Sequence, residues 1–399
     1  MITINQKTDC CGCWACMNIC PQQCITMQSD TEGFLYPTVN QTECINCHLC
    51  EKHCPILNNQ QKKYEPLFVY GCRNLNSNSL KKSSSGGIFE LLAKTILAKG
   101  GIVFGAKLDN SNKVVHTYID TIKNIDTLRR SKYVQSEIGN TYCKTKKVLD
   151  DGRPVLFTGT PCQIAGLQAY LKREYKKLFT VDFICHGVPS PAVWRKYLDG
   201  IEANSDSTVS QINFRDKRNG WLNYHFSYSL PTPNANITIS EARFVNPFIR
   251  GFLYDLYLRP SCHDCKFKHF NSGADITLSD FWGVWMNYPK WNDNRGASCA
   301  AINTKKGEIL FNTIDKGHYE KINLTFKQAY IDYNKAALKS TAYNAKREIF
   351  FNRLSSEPLV PLIMSLTQKT LLQQIRDYIS IIMHKSGTHK LVSYFKNIH

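Results

Sequence analysis

The chain has 399 residues, 43% of them hydrophobic, which is room for two or three domains and a substantial core. A formal net charge of +18 points to an anionic partner, such as nucleic acid, anionic lipid, or a phosphorylated substrate or cofactor. The basic residues are nevertheless dispersed, with no Arg-rich arm and no helix-turn-helix or zinc-finger pattern, which disfavours nucleic acid.

Met1-Ile2-Thr3-Ile4 runs straight into a cysteine motif without a basic, then apolar, leader, and no apolar run approaches the roughly 20 residues of a membrane span. Seventeen cysteines in such a chain predict a cytoplasmic, metal-ligating protein. Residues 10–55 carry Cys-x2-Cys-x2-Cys-x3-Cys-Pro twice: Cys10, Cys13, Cys16, Cys20 and Pro21, then Cys44, Cys47, Cys50, Cys54 and Pro55. Three thiolates at this spacing wrap one face of an iron–sulfur cube, and the fourth, three residues further on, reaches the other cube. The rule assigns Cys10, Cys13, Cys16 and Cys54 to one [4Fe–4S] cluster, and Cys44, Cys47, Cys50 and Cys20 to a second. Zinc usually takes two separated Cys-x2-Cys pairs rather than three cysteines in series, and nothing marks the chain for disulfides. Cys11 and Cys24 fall outside the spacing and are not expected to be ligands. The segment resembles the bacterial two-cluster ferredoxin, including a short strand expected at Ile25-Thr26-Met27. Trp14 stands where a small residue is common.

A polar linker, Asn58 to Lys63, leads to a strand predicted at 67–72. Ser83-Ser84-Ser85-Gly86-Gly87 then opens a helix with Ile88, Leu91, Leu92 and Ile96 on one face, and a strand follows at 102–105. A second strand–turn–helix unit starts at Val155, with Thr160 and Gln163 spaced as a capping box and Pro161 at the first helical position. A third runs from Phe179 through Cys185-His186-Gly187-Val188-Pro189 to a helix capped by Ser190. Such alternation predicts an α/β core with parallel strands. Shorter alternating strands occupy about 205–280. The sequence beyond 335 is helical and basic, with Leu371, Leu372, Ile375, Tyr378, Ile379 and Ile382 forming one apolar stripe expected to pack on the body.

Cys162, in the first turn of a helix, and Cys185, at a strand end, both fall at the carboxyl edge of this sheet, where α/β folds gather ligands. Cys262 and Cys265 form a Cys-x2-Cys hook. The four thiols suit a third [4Fe–4S] cluster or a structural zinc, against the plainer reading of unliganded buried cysteines. Cys72, Cys143 and Cys299 read as packing residues. The Ser83–Gly87 loop, at a helix N-terminus, suits a pyrophosphate, although a plain N-cap with tight packing explains it as well.

Ser83 to Gly87, Ser131-Lys132-Tyr133-Val134-Gln135-Ser136, Gly159 to Gln163, Cys185 to Ser190 and Ser279-Asp280-Phe281-Trp282-Gly283 resemble the coenzyme F420 hydrogenase/dehydrogenase beta-subunit family, over about 67–330. The resemblance implies a multidomain α+β and α/β chain: a two-cluster ferredoxin domain at 1–59, the two parts of a flavin-binding α/β core with a mixed sheet at 67–150 and 151–333, and a basic helical tail at 334–399. It further implies a third [4Fe–4S] cluster on Cys162, Cys185, Cys262 and Cys265, and FAD near Ser84, Ser85, Gly86, Gly87, Lys132 and Gln135. The expected activity is that of an iron–sulfur flavin-dependent oxidoreductase, because flavin converts between one-electron carriers and hydride. Its expected partners are a ferredoxin-like one-electron carrier, a small anionic, deazaflavin-like substrate, and a partner oxidoreductase subunit. The alternatives are an electron-transfer subunit without its own substrate, and a reductase in cell-surface polysaccharide synthesis.

Overall fold

The structure, a computed structural model, describes residues 1–60, 64–231 and 235–368. The end of the polar linker, 61–63, and the apolar stripe at 371–382 lie outside the described residues.

The N-terminal segment is built on an antiparallel hairpin, β1 (Ile25–Ser29) and β2 (Leu35–Val39), so the strand expected at 25–27 is present and runs on to Ser29. Each cysteine motif winds into a short helix, Ala15–Ile19 and Leu49–Lys52. Trp14 (φ 65°) and His48 (φ 58°) hold equivalent places just before these helices, in the left-handed region. A Cβ there costs roughly 1–2 kcal/mol, which explains why a small residue is common where Trp14 stands.

Strands β3 (Phe68–Asn74), β4 (Ile102–Leu108), β5 (Val114–Ile119), β6 (Val155–Thr158) and β7 (Leu178–Phe183) follow. A separate antiparallel sheet comprises β8 (Ser210–Asp216), β9 (His225–Pro231) and β10 (Asn236–Ala242). The main sheet is completed by β11 (Ile276–Asp280), β12 (Ser298–Ile302) and β13 (Tyr319–Asn323), in the order β13-β3-β12-β11-β7-β6-β4-β5. Its centre, β4, β6, β7 and β11, is parallel, and antiparallel pairs flank it. Burial on both faces accounts for the unbroken apolar run of β6: Leu156 packs with the helix Ile88–Ala98, whereas Val155 and Phe157 pack with the helix Pro161–Leu171 on the other face.

The predicted caps are formed. The Thr160 amide donates to Gln163 Oε1 at 2.9 Å with Pro161 opening the helix, and Ser190 Oγ accepts from the Val193 amide at 3.3 Å. These caps aim the turns after β6 and β7 at one edge of the sheet. The register pairs Ser298 with both Asp280 and Cys72, so the start of β12 and the end of β3 lie at that edge as well.

Two segments pack more closely on the body than local sequence indicates. The ferredoxin-like segment is not packed apart: Cys11, Cys13 and Ala15 share a buried cluster with Phe157, Ile164 and Leu167. Nor is the chain after 334 simply a tail, because Phe350, Leu362 and Ile363 are fully buried against Trp194, Phe248 and Tyr257. Sequence periodicity shows that a helix has an apolar face but not which surface covers it.

Candidate functional site

The thiols of Cys10, Cys13, Cys16 and Cys54 face one another. Burial, then the neighbouring Cys13, Cys10 and Cys54, pushes Cys16 well above the ordinary thiol range, and burial with Cys13 raises Cys54 to about 11. The fourth member comes from the second motif, the exchange that the spacing rule predicts. Cys20, Cys44, Cys47 and Cys50 line a small cavity on the outer side of the segment, with Cys47 exposed. Cys24 lines it too, its Sγ 3.4 Å from that of Cys20.

A third group gathers at the carboxyl edge of the main sheet. Cys185 is raised by burial and by the nearby thiols of Cys262, Cys162 and Cys265, and Cys262 is pushed up to about 12 by burial and Cys265. Local structure brings them together. Cys162 follows Pro161 in the capped turn, and Cys262 closes a 3₁₀ turn opened by Pro260. The Cys265 amide is held by Ser340 Oγ at 2.9 Å. Among the described residues no three His, Cys, Asp or Glu side chains converge closely enough to hold a single metal ion.

Cys11, set aside by its spacing, proves to be a link. It is buried, with its thiol against both Cys13 of the first group and Cys162 of the third. The Cys11 thiol, with the Thr160 hydroxyl at 3.1 Å, holds Cys162 down to about 7. Two glycines permit this proximity. A Cβ on Gly166 would lie 2.8 Å from Cys13 Cβ, and one on Gly12 would lie 2.6 Å from Gln135 Nε2. Neither glycine, nor Arg259 beside Gly12, carried a signal in the sequence, since each acts on residues far along the chain.

The residues expected around FAD divide into separate environments. Ser131 donates through its amide to Ser84 Oγ at 2.8 Å, and Ser85 Oγ donates to the Ala297 carbonyl at 2.7 Å. Lys132 is lowered to about 7 by burial and by Arg130. The glycines are taken up by the fold itself: a Cβ on Gly86 would meet the Cys72 carbonyl and the Ser298 amide at 2.6 Å, and Gly87 (φ +78°) caps the helix Ile88–Ala98. Gln135 belongs to the cysteine groups, donating to the Cys11 carbonyl at 3.2 Å and accepting from Arg259 Nη1 at 2.9 Å.

The same sheet edge holds cations that the sequence did not single out. Lys217, lowered to about 7 by burial and by Arg215, donates to the carbonyls of Leu80 (2.6 Å), Ser85 and Arg295. Arg215 pairs with Asp280 at 2.8 Å and lies over the Tyr224 ring, yet among the described residues its buried Nε and Nη2 have no hydrogen-bond partner. Cys72 and Cys299 are buried core residues as expected, whereas Cys143 is exposed and faces Asn18 and Tyr170 instead of packing.

Paired cysteine motifs beside an α/β domain suit iron–sulfur chemistry. Residues 9–57 match the 4Fe-4S dicluster domain family, and residues 152–325 match the family of the C-terminal part of the coenzyme F420 hydrogenase/dehydrogenase beta subunit. Each of these matches covers less than half of the chain. Among solved structures it is similar to a chain of the F420-reducing [NiFe] hydrogenase complex from Methanosarcina barkeri, at 19% identity and a TM-score of 0.46, over 69% of this chain and 88% of that one. No curated protein matches the chain. Among the described residues no helix is long and apolar enough to cross a membrane.

Proposed function

We propose that the chain is an iron–sulfur flavoprotein oxidoreductase that passes electrons between a one-electron carrier and a small anionic hydride donor or acceptor, deazaflavin-like in its chemistry. The observation that carries this reading is the assembly of three four-thiol groups, the first and third joined through Cys11. Cys10, Cys13, Cys16 and Cys54 hold one [4Fe–4S] cluster, Cys20, Cys44, Cys47 and Cys50 a second, and Cys162, Cys185, Cys262 and Cys265 a third. Bound clusters supply one-electron chemistry, and a bound flavin supplies the exchange between single electrons and hydride.

The chain's own residues provide charge and position. Lys217 lies beside Arg215, whose Nε and Nη2 have no hydrogen-bond partner among the described residues, and buried basic groups of this kind favour an anionic group such as a pyrophosphate or a phosphorylated substrate; Lys132, tied to the Thr127 and Arg129 carbonyls, is a second buried basic group. Ser84 and Ser131 add hydroxyls there. Gly86 sets the loop close against the Cys72 carbonyl and the Ser298 amide. The carrier docks at the outer thiol group, where Cys47 is exposed and the neighbouring Ile45 is 60% exposed.

Protein purified without oxygen should contain about twelve iron and twelve acid-labile sulfide per chain, and boiling should release FAD. Eight of each would remove the third cluster, and substantial zinc would replace it with a structural site. Well-folded, cluster-replete protein that yields no flavin and cannot be reconstituted with it would leave an electron-transfer subunit without a substrate of its own.

A further inference from the structure

Arg259 is buried with no accessible surface, and among the described residues it forms no ion pair with a carboxylate. Its guanidinium is fully employed by other means. Nε donates to the Cys10 carbonyl (2.8 Å), Nη1 to Gln135 Oε1 (2.9 Å), and Nη2 to the Leu35 carbonyl (3.0 Å) and to Cys10 Sγ (3.6 Å). Its plane lies over Tyr36, with the carbon 4.2 Å from the ring centroid. The ionisable groups nearest to it are Cys10, Tyr36, Cys11 and Cys262.

An isolated buried cation costs several kcal/mol, so a side chain in this position needs a counter-charge. None of its oxygen and aromatic partners carries a full charge. A cluster ligated by four thiolates does, and its negative charge grows on reduction. Arg259 also sits immediately before Pro260, in the turn that presents Cys262. It therefore touches the first cysteine group while standing on the element that builds the third.

We propose that Arg259 sets the reduction potential of the cluster held by Cys10, Cys13, Cys16 and Cys54. The role rests on the cluster assignment proposed above. In the step concerned, one electron passes from the reduced outer cluster to this cluster, and no bond is made or broken. A fixed positive charge and an N–H donor on a ligating sulfur both favour the reduced form, so Arg259 raises the potential of this cluster relative to the outer one. Among the described residues Arg259 makes no hydrogen bond to a thiol of the outer group, so the two ferredoxin-type clusters differ in potential by a device that the segment 1–60 does not contain. Arg259 is a positioning residue: it acts through the cluster and touches no substrate.

The test compares full-length Arg259→Met and Arg259→Lys with wild type in redox titrations followed by electron paramagnetic resonance. In the Met variant one wave should move to lower potential. The ratio of reduced to oxidised cluster at a fixed potential should fall about tenfold, which is about 59 mV for a one-electron couple. The other waves should stay in place, and the Lys variant should recover part of the shift. Full iron content with no wave moved, or equal shifts in both variants, would overturn the role of the charge. Should the Met variant lose iron, wild-type protein labelled with ¹⁵N-arginine decides the matter: pulsed spectroscopy of the reduced cluster should show ¹⁵N coupling, and its absence overturns the proposal. Wild-type protein that binds no iron would sink the cluster assignment itself, a result distinct from each of these.

Discussion

Asp182 shows how much a single buried group can dictate. Only 2% exposed in the centre of the main sheet, it is raised to about 7 by burial, although Ser272 donates to its Oδ2 at 2.5 Å. Thr277 also lies beside the carboxyl, whose Oδ1 makes no close hydrogen bond among the described residues. Because the folded pKa lies above the unfolded one, the folded state keeps a proton that the unfolded chain has released between about pH 4 and pH 7. Stability therefore falls as pH rises through that window, by up to about 4 kcal/mol in all. Asp182→Asn, which cannot ionise, should remove this slope and be the more stable protein at pH 8. Urea denaturation of both proteins from pH 5 to pH 8 measures the difference, and parallel curves would show that Asp182 is charged in the native state. The sequence offers no hint of this, since an Asp in an apolar strand reads as an ordinary interruption until both faces of the sheet are covered.

At the scale of elements, the helix Pro161–Leu171 carries two kinds of information. Its start was legible, because Thr160, Pro161 and Gln163 are local cap chemistry acting within one turn. Its role as a seat for the first cysteine group was not, because that depends on Gly166 meeting Cys13 from the far end of the chain. The two effects give opposite signs for Gly166→Ala. Helix propensity favours alanine by about 1 kcal/mol, whereas a Cβ would lie 2.8 Å from both Cys13 Cβ and Tyr142 Oη. Cys13 cannot retreat without disturbing its own loop, so the contact should win. The variant should lose the first cluster and retain the outer one, seen as about four iron fewer per chain. Unchanged iron with a higher melting temperature would mean that propensity prevails. The Ser83–Gly87 loop teaches the converse lesson. Its motif was conspicuous, yet Gly86 is required by the Cys72 carbonyl and the Ser298 amide of neighbouring strands, so the glycine signal marked packing.

Across the whole molecule, the ferredoxin-like segment is locked to the rest by groups from distant parts of the chain. Arg347 clamps Glu32 with both terminal nitrogens, Nη1 to Oε1 at 3.0 Å, while its Nε donates to the Leu258 carbonyl. The pair is largely buried, at 6% and 14% exposure. Glu32→Gln strands the Arg347 charge and should cost about 3 kcal/mol, whereas Glu32→Gln with Arg347→Met should recover much of it. Equal losses in the single and double variants, measured by denaturant unfolding, would show that the clamp is not an ion pair. What the sequence determined by itself was chemistry held in short spacing: the grouping of the first eight cysteines, the caps, the parallel α/β core and the hook at Cys262 and Cys265. Each depends on residues within a few positions of one another, where backbone geometry leaves few choices. Only the tertiary structure decided that Cys11 links two thiol groups, that Arg259 and Gln135 stand between them, and that the helices at 346–366 belong to the core. Those contacts join residues far apart along the chain, and packing of whole elements, which no local pattern encodes, sets them.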